Sequence, residues 1–189
     1  MPASVVDTLA ALERAFSRLA IDWYLFGAQA AILRGSRRMT ADVDVTVIAD
    51  GIDVQPILDG LAREQILPRW TLDDAFVRQS RVLPLMYDNQ MPIDVVLGSP
   101  GLDEYFLDRS ERIDVGGTSI RVARREDLIC MKLLAGRPHD LQDAAAMARA
   151  GACDLDEVRA FVEGMAEALG DAELPERLTS LLVGLERER

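Results

Sequence analysis

The segment DVDVTV, Asp42 to Val47, alternates strictly between polar and apolar residues. A strand with one buried face reads this way, because successive side chains of a strand leave opposite faces. Val43, Val45 and Val47 define the apolar face, while Asp42, Asp44 and Thr46 share the other. The two carboxylates then stand about 7 Å apart on one side of a sheet, where like charges repel unless a cation joins them. Oxygen-only donors of this kind suit Mg²⁺ or Mn²⁺. Upstream, the apolar run Trp23 to Phe26 stops at Gly27 and passes into a helix-forming stretch, Ala28 to Leu33. A strand that delivers a helix N-terminus through a glycine offers free backbone N–H groups and the positive end of the helix dipole, an arrangement suited to a phosphate. Arg34, Arg37 and Arg38 fill the interval between that helix and the acids.

A second strand carries a third acid. In PIDVVLG the residues Ile93, Val95 and Leu97 form the apolar face, so Asp94 leaves the opposite side. A carboxylate inside an apolar strand is disfavoured unless it is paired or bound to metal. Arg81 to Tyr87 is a strand too, and the turn residues Asp88 to Pro92 between them predict an antiparallel pair. An isolated Asp-x-Asp is most often a turn or a solvated edge. Joined to the Gly27 turn and to Asp94, it reads instead as a metal-binding set of Asp42, Asp44 and Asp94.

Gly27-Ala28, thirteen intervening residues and Asp42-Val43-Asp44 resemble the signature of the nucleotidyltransferase (polymerase-β-like) superfamily, in which a hydrophobic strand runs into Gly-Gly or Gly-Ser and the next strand bears Asp-x-Asp. Arg38-Met39-Thr40, just before the acids, is closest to the AbiEii-type toxin nucleotidyltransferases. The stretch KLLAGRPHDLQD, Lys132 to Asp143, is similar to the last motif of that group, with His139 where a second lysine is usual. The resemblance implies an α+β nucleotidyltransferase fold, a small mixed β-sheet flanked by helices, with an all-helical C-terminal part. It implies transfer of a nucleoside monophosphate from an NTP to an acceptor hydroxyl, with release of pyrophosphate and with Mg²⁺ or Mn²⁺ as cofactor. Asp42, Asp44 and Asp94 are then both the catalytic residues and the metal ligands. Gly27, Ala28, Arg38, Thr40 and Lys132 are the expected nucleotide contacts, with Arg137, Asp140 and Asp143 supporting them. Ala28 departs from the usual Gly or Ser, which removes a hydroxyl contact and leaves the backbone donors.

The acceptor stays open at this level. AbiEii-type toxins imply an RNA acceptor, in particular a tRNA 3′ end, a protein side chain as target, and an antitoxin protein as partner. The same motif is shared by antibiotic-modifying transferases that act on small aminoglycosides or lincosamides. A non-catalytic binding or regulatory module with this fold is a third reading, although a module released from catalysis has no reason to hold three like charges together. Lys132 is the only lysine, against twenty arginines. A compact ammonium suits a phosphate oxygen in a tight site, whereas Arg favours bidentate recognition; the alternative is a lysine snorkelling from a buried helix. His139, the only histidine, has no Cys or His neighbours and reads as a surface or helix-start residue rather than a zinc ligand.

The remainder of the chain supplies scaffold. Val5, Leu9, Leu12, Phe16 and Leu19 recur at helical spacing behind Ser4, a plausible N-cap with Asp7 in the first turn. Ala49-Asp50-Gly51 reads as a turn and Val54 to Glu64 as a crossover helix, while Trp70 to Gln79 has no clear period. Arg112 to Val122 reads as a hairpin about Gly116-Gly117 that extends the sheet. From Arg125 on only helical patterns remain, the first two separated by Gly136-Arg137-Pro138. This predicts an α/β core over residues 1–124 and a helical region over 125–189. At 189 residues the chain can bury a sizeable core. Its net charge of −11 argues against a broad basic nucleic-acid surface, yet ten acids against four arginines lie from Asp154 onward, away from the Arg34–Arg38 cluster. Neither a membrane-length apolar run nor a signal-peptide layout is present, and Cys130 and Cys153 lack metal-like spacing, so a cytoplasmic protein with reduced thiols is expected.

Overall fold

The structure, a computed structural model, describes residues 4–49, 51 and 53–187. Asp50 of the expected 49–51 turn lies outside them. The chain divides into two compact units. One runs up to Gln29 and from Thr40 to Ala123; the other joins Ala30 to Met39 with the chain from Arg124 onward. Helix Gly27–Leu33 is thus shared, with its residues from Ala30 on counted in the helical unit.

The first unit opens with helix α1 (Val5–Leu19), whose start is fixed by a reciprocal cap: the Asp7 N–H donates to Ser4 Oγ at 3.1 Å, and the Asp7 carboxylate accepts from the Ser4 N–H. Leu9, Leu12 and Phe16 lie on its buried face, each stabilising the fold by roughly 1.5–3 kcal/mol relative to exposure. Strand β1 (Trp23–Phe26) follows, then helix α2 (Gly27–Leu33), strand β2 (Val43–Ile48), helix α3 (Val54–Ala62), strand β3 (Ile66–Pro68) and helix α4 (Asp74–Ser80). Strands β4 (Val82–Tyr87) and β5 (Met91–Gly98), helix α5 (Leu102–Arg109) and strands β6 (Glu111–Val115) and β7 (Thr118–Val122) complete it.

These strands make one seven-stranded mixed sheet in the order β3-β4-β5-β2-β1-β7-β6. The pairs β2–β5 and β1–β7 are parallel and the others antiparallel. Val43, Val45 and Val47 of β2 and Ile93 and Val95 of β5 are fully buried, as their alternation requires. The β6–β7 hairpin turns on Gly116 and Gly117, both at positive φ, which the mirror-image turn matching strand twist demands. Its edge joins the sheet because β7 pairs with β1 at Leu25 and Val122.

Three elements escape the periodicity of the sequence. β3 has three residues and ends in Pro68. α4 buries only Val77 and is set by its N-cap, Asp73, whose side chain accepts from the Ala75 N–H at 2.9 Å. α5 starts behind Pro100-Gly101, where Glu104 accepts from the Gly101 N–H at 3.3 Å.

The second unit packs helices α6 (Arg125–Ala135), α7 (Pro138–Arg149), α8 (Leu155–Leu169) and α9 (Glu173–Arg187). Pro138 opens α7, where its missing N–H leaves no helical bond unmade. Leu128, Ile129, Leu133, Met147, Val158 and Leu174 supply the core. Arg177 of α9 donates to the Leu133 carbonyl at 3.1 Å and so closes the open C-terminal end of α6.

Candidate active site

The sheet register places one row of side chains across four strands. Phe26 of β1 stands opposite Asp44 of β2, Asp44 opposite Asp94 of β5, and Asp94 opposite Pro84 of β4. The row extends one residue past β3, where the Arg69 N–H donates to the Pro84 carbonyl at 3.0 Å. Partners in register share a face, and adjacent strands lie about 4.8 Å apart, so Asp44 and Asp94 are neighbouring carboxylates. Asp42, two residues before Asp44, leaves the same face. Beyond Asp44 that face closes, for Thr46 is 2% exposed.

Each acid is positioned by something specific. Gly27 has φ +68°, and a Cβ there would lie 2.6 Å from Asp44 Cγ and 2.7 Å from Asp44 Cβ, overlapping the carboxylate oxygen as well. The glycine is therefore required twice, for its backbone conformation and for the room it leaves Asp44. Asp42 is held through its backbone: its N–H donates to Thr40 Oγ1 at 3.3 Å, and Gln29 of α2, itself buried, donates from Nε2 to the Thr40 carbonyl at 3.1 Å. Thr40 and Gln29 thus form the brace that aims the first acid. Asp94, its side chain 38% exposed, is ion-paired with the Arg69 guanidinium. Burial pushes the Asp94 carboxyl above the usual carboxylate range, Arg69 pulls against that shift, and the Asp42 charge adds to it. Ala28 has a buried side chain in the first turn of α2.

The donor chemistry fits a hard divalent cation: three carboxylates on one sheet face, two of them in direct register, and a cationic group already on Asp94. Among the described residues no three His, Cys, Asp or Glu side chains are gathered into a closed ligand cluster. Arg69 engages Asp94 in this arrangement.

The remaining predicted site residues belong to the helical unit. Lys132 Nζ donates to Asp140 Oδ1 at 2.7 Å and lies 3.2 Å from Asp143 Oδ2. Arg137 Nε donates to the other Asp140 oxygen at 2.5 Å, and Ser36 Oγ donates to Asp143 Oδ1 at 2.7 Å. Arg38 Nη1 stands 3.5 Å from Asp143 Oδ2, and the Arg38 N–H donates to Ser36 Oγ at 3.3 Å. The Lys132, Asp140 and Asp143 side chains are only 8%, 0% and 3% exposed. Burial alone would raise the Asp140 carboxyl, but hydrogen bonds and charge from Lys132 and Arg137 outweigh it and hold Asp140 below its ordinary range. His139 sits at the α7 start with Nε2 3.7 Å from Asp140. Cys130 and Cys153 are free, and burial followed by the Glu126 charge pushes the Cys153 thiol up to about 11, leaving it unreactive at neutral pH.

A mixed sheet with helices and a row of acids beginning at a glycine turn is the fold of the nucleotidyltransferase superfamily. Residues 5–182 match the family described as "Nucleotidyltransferase of unknown function (DUF6036)", and the chain belongs to that family. It is similar to the solution structure of the antibiotic-resistance factor ANT(2″)-Ia, at 12% identity and a TM-score of 0.62, over 92% of this chain and 97% of that one. It is similar also to the lincosamide antibiotic adenylyltransferase LnuA with lincomycin bound, at 14% identity and a TM-score of 0.52, over 80% of this chain and 100% of that one. An antigenic nucleotidyltransferase-like protein from Paracoccidioides brasiliensis matches at 16% identity and a TM-score of 0.50, over 95% of both chains. At these identities the likeness is one of fold. No curated protein matches the chain. No helix among the described residues is long and apolar enough to cross a membrane.

Proposed function

We propose that this nucleotidyltransferase moves a nucleoside monophosphate from an NTP to a hydroxyl of a small acceptor at Asp42, Asp44 and Asp94. The observation that carries the reading is the register of Asp44 with Asp94 beside a glycine that clears space for Asp44. An acceptor oxygen bonds to the α-phosphorus of the NTP, the bond from that phosphorus to the bridging oxygen breaks, and pyrophosphate leaves. Asp42, Asp44 and Asp94 would hold Mg²⁺ or Mn²⁺, which when bound would neutralise triphosphate charge. The protein contributes orientation and takes the proton: Gln29 and Thr40 aim Asp42, Gly27 admits the Asp44 carboxylate, and Asp94 on the acceptor side accepts the proton that the attacking hydroxyl gives up.

A small cationic acceptor is favoured over RNA by the net charge of −11 and by relatives of the fold that act on such molecules: one is described in complex with adenylyl-2″-tobramycin and another with lincomycin. The AbiEii-type reading, with tRNA as acceptor and an antitoxin as partner, is the other outcome of the same experiment. Each of four α-³²P NTPs is offered with Mg²⁺ to aminoglycosides, lincosamides, total RNA and cellular protein, comparing wild type with Asp44→Asn. Label in a small-molecule pool that vanishes in the variant supports the proposal. Label in RNA or protein transfers the assignment to the toxin class, and no label in any pool from folded protein favours a binding module.

A further inference from the structure

No sequence motif marks Arg69, yet its guanidinium is the ion-pair partner of Asp94. Its reach is built into the sheet. The register line Arg69, Pro84, Asp94, Asp44 puts one residue between the arginine and the acid, and that residue is a proline with no polar side chain to intercept the guanidinium. Pro84 offers its carbonyl to Arg69 and has no N–H to return, so the β3–β4 ladder stops there and the chain leaves the sheet at Arg69–Trp70. The Arg69 guanidinium also lies over the Trp70 ring, 5.4 Å from its centroid, and Trp70 meets Phe76 edge-on with centroids 6.3 Å apart. Trp70 is 52% exposed. The arginine therefore has two resting partners, one carboxylate and one aromatic face, and needs only the second to stay in place.

We propose that Arg69 is the resident counterion of Asp94 and competes with the divalent cation for that carboxylate, so that it sets the cation affinity of the site. This rests on the metal-binding reading of the three acids. Without cation, Arg69 relieves the repulsion on Asp94; when a cation is bound, Arg69 gives up Asp94 and moves further over the Trp70 ring, which changes the surroundings of that indole. Arg69 is a positioning residue in this account, since it acts on the reacting groups through Asp94. A merely structural arginine would stabilise the β3 end of the sheet and leave cation binding unchanged.

The test is Mn²⁺ binding to the full chain without nucleotide, followed by the electron paramagnetic resonance signal of free Mn²⁺ and by tryptophan fluorescence, for wild type, Arg69→Gln, Asp44→Asn and Trp70→Phe. Arg69→Gln is expected to bind Mn²⁺ about fivefold more tightly, the scale of a partly exposed ion pair that no longer has to open. Mn²⁺ is expected to change the fluorescence of wild type and not that of Arg69→Gln or Trp70→Phe; the other tryptophan, Trp23, is buried and donates to Glu13. Mn²⁺ binding by wild type that is lost in Asp44→Asn but equal or weaker in Arg69→Gln overturns the counterion proposal and leaves the metal site standing. Absence of Mn²⁺ binding in both wild type and Arg69→Gln overturns the metal site and the proposal together. Should Arg69→Gln unfold, Arg69→Lys, which keeps the charge and loses the planar stack, is expected to bind Mn²⁺ more tightly than wild type but by less than about fivefold; affinity identical to wild type counts against the competition.

Discussion

The two units hold acids in opposite electrostatic situations. On the sheet face, Asp42, Asp44 and Asp94 present three negative charges, and Arg69 pairs with Asp94. In the helical unit, Asp140 and Asp143 meet Lys132, Arg137 and Arg38, with Ser36 adding a hydroxyl. The first group is half open and rich in negative charge, which suits the cation proposed for it. The second is buried and already neutralised, so it gains by staying closed and ties the 30–39 loop to α7. Desolvation explains the difference: buried charge is tolerated only with partners, and removing one partner strands the other. Exposed like charges cost little individually and pay off when a ligand arrives.

Breaking the closed group should have the largest effect. Lys132→Ala leaves Asp140 and Asp143 without their central cation and is expected to destabilise the protein by about 3–5 kcal/mol, as for other buried pairs cut on one side; chemical denaturation measures it. A near-wild-type midpoint would mean that Lys132 is free for another role. On the sheet face the effect moves from stability to rate. Asp44→Asn is expected to lower kcat/KM for nucleotide transfer by about 100- to 1,000-fold, with a smaller loss of stability than Lys132→Ala because the site is half open. A variant that lost stability as much as activity would erase the distinction between the two groups.

Acid titration separates them next. Asp140 is depressed in the fold, so the unfolded chain binds its proton first as pH falls. Its contribution to stability is complete above the ordinary carboxylate pKa near 4 and is lost as pH falls through the lower, folded value. Stability measured from pH 7 downward should drop on an acid limb that is shallower in Asp140→Asn, a variant weaker than wild type at pH 7. An unchanged limb would place the acid sensitivity elsewhere.

How far the sequence carries this depends on distance along the chain. The acids were legible because alternation in Val43–Val47 and Ile93–Leu97 fixes the face of each side chain locally, and the Gly27 turn and the Gly136–Pro138 break are equally local signals. β3 was not, because three residues ending in proline carry no period, and α4 and α5 bury too few residues to show one: Val77 in the first, Phe106 and Leu107 in the second. Arg69 was missed for the same reason, since its link to Asp94 exists only after β3, β4 and β5 are in register. Gln29 left no signal beyond its place in an Ala-rich helix. For Lys132 the sequence allows a phosphate contact or a lysine snorkelling from a buried helix, and neither names the buried acids it meets. A charge and its satisfaction are separate facts, and Ser36 and Asp143 are 107 positions apart.

Arg38 sharpens the comparison where the effect on folding is smallest. It belongs by contact to the closed group, but its 3.5 Å approach to Asp143 is long and its side chain is 38% exposed, so the pair is worth no more than about 1 kcal/mol. The sequence motif assigns it instead to the nucleotide. Arg38→Gln is therefore expected to unfold within about 1 kcal/mol of wild type while KM for the NTP rises about tenfold, the scale of one charge-assisted hydrogen bond to a phosphate. Steady-state kinetics beside a denaturation curve separates the roles: a raised KM on an unchanged midpoint makes Arg38 a nucleotide contact. A lowered midpoint with unchanged KM makes it one more counterion of Asp143, leaving the triphosphate to be neutralised by other groups.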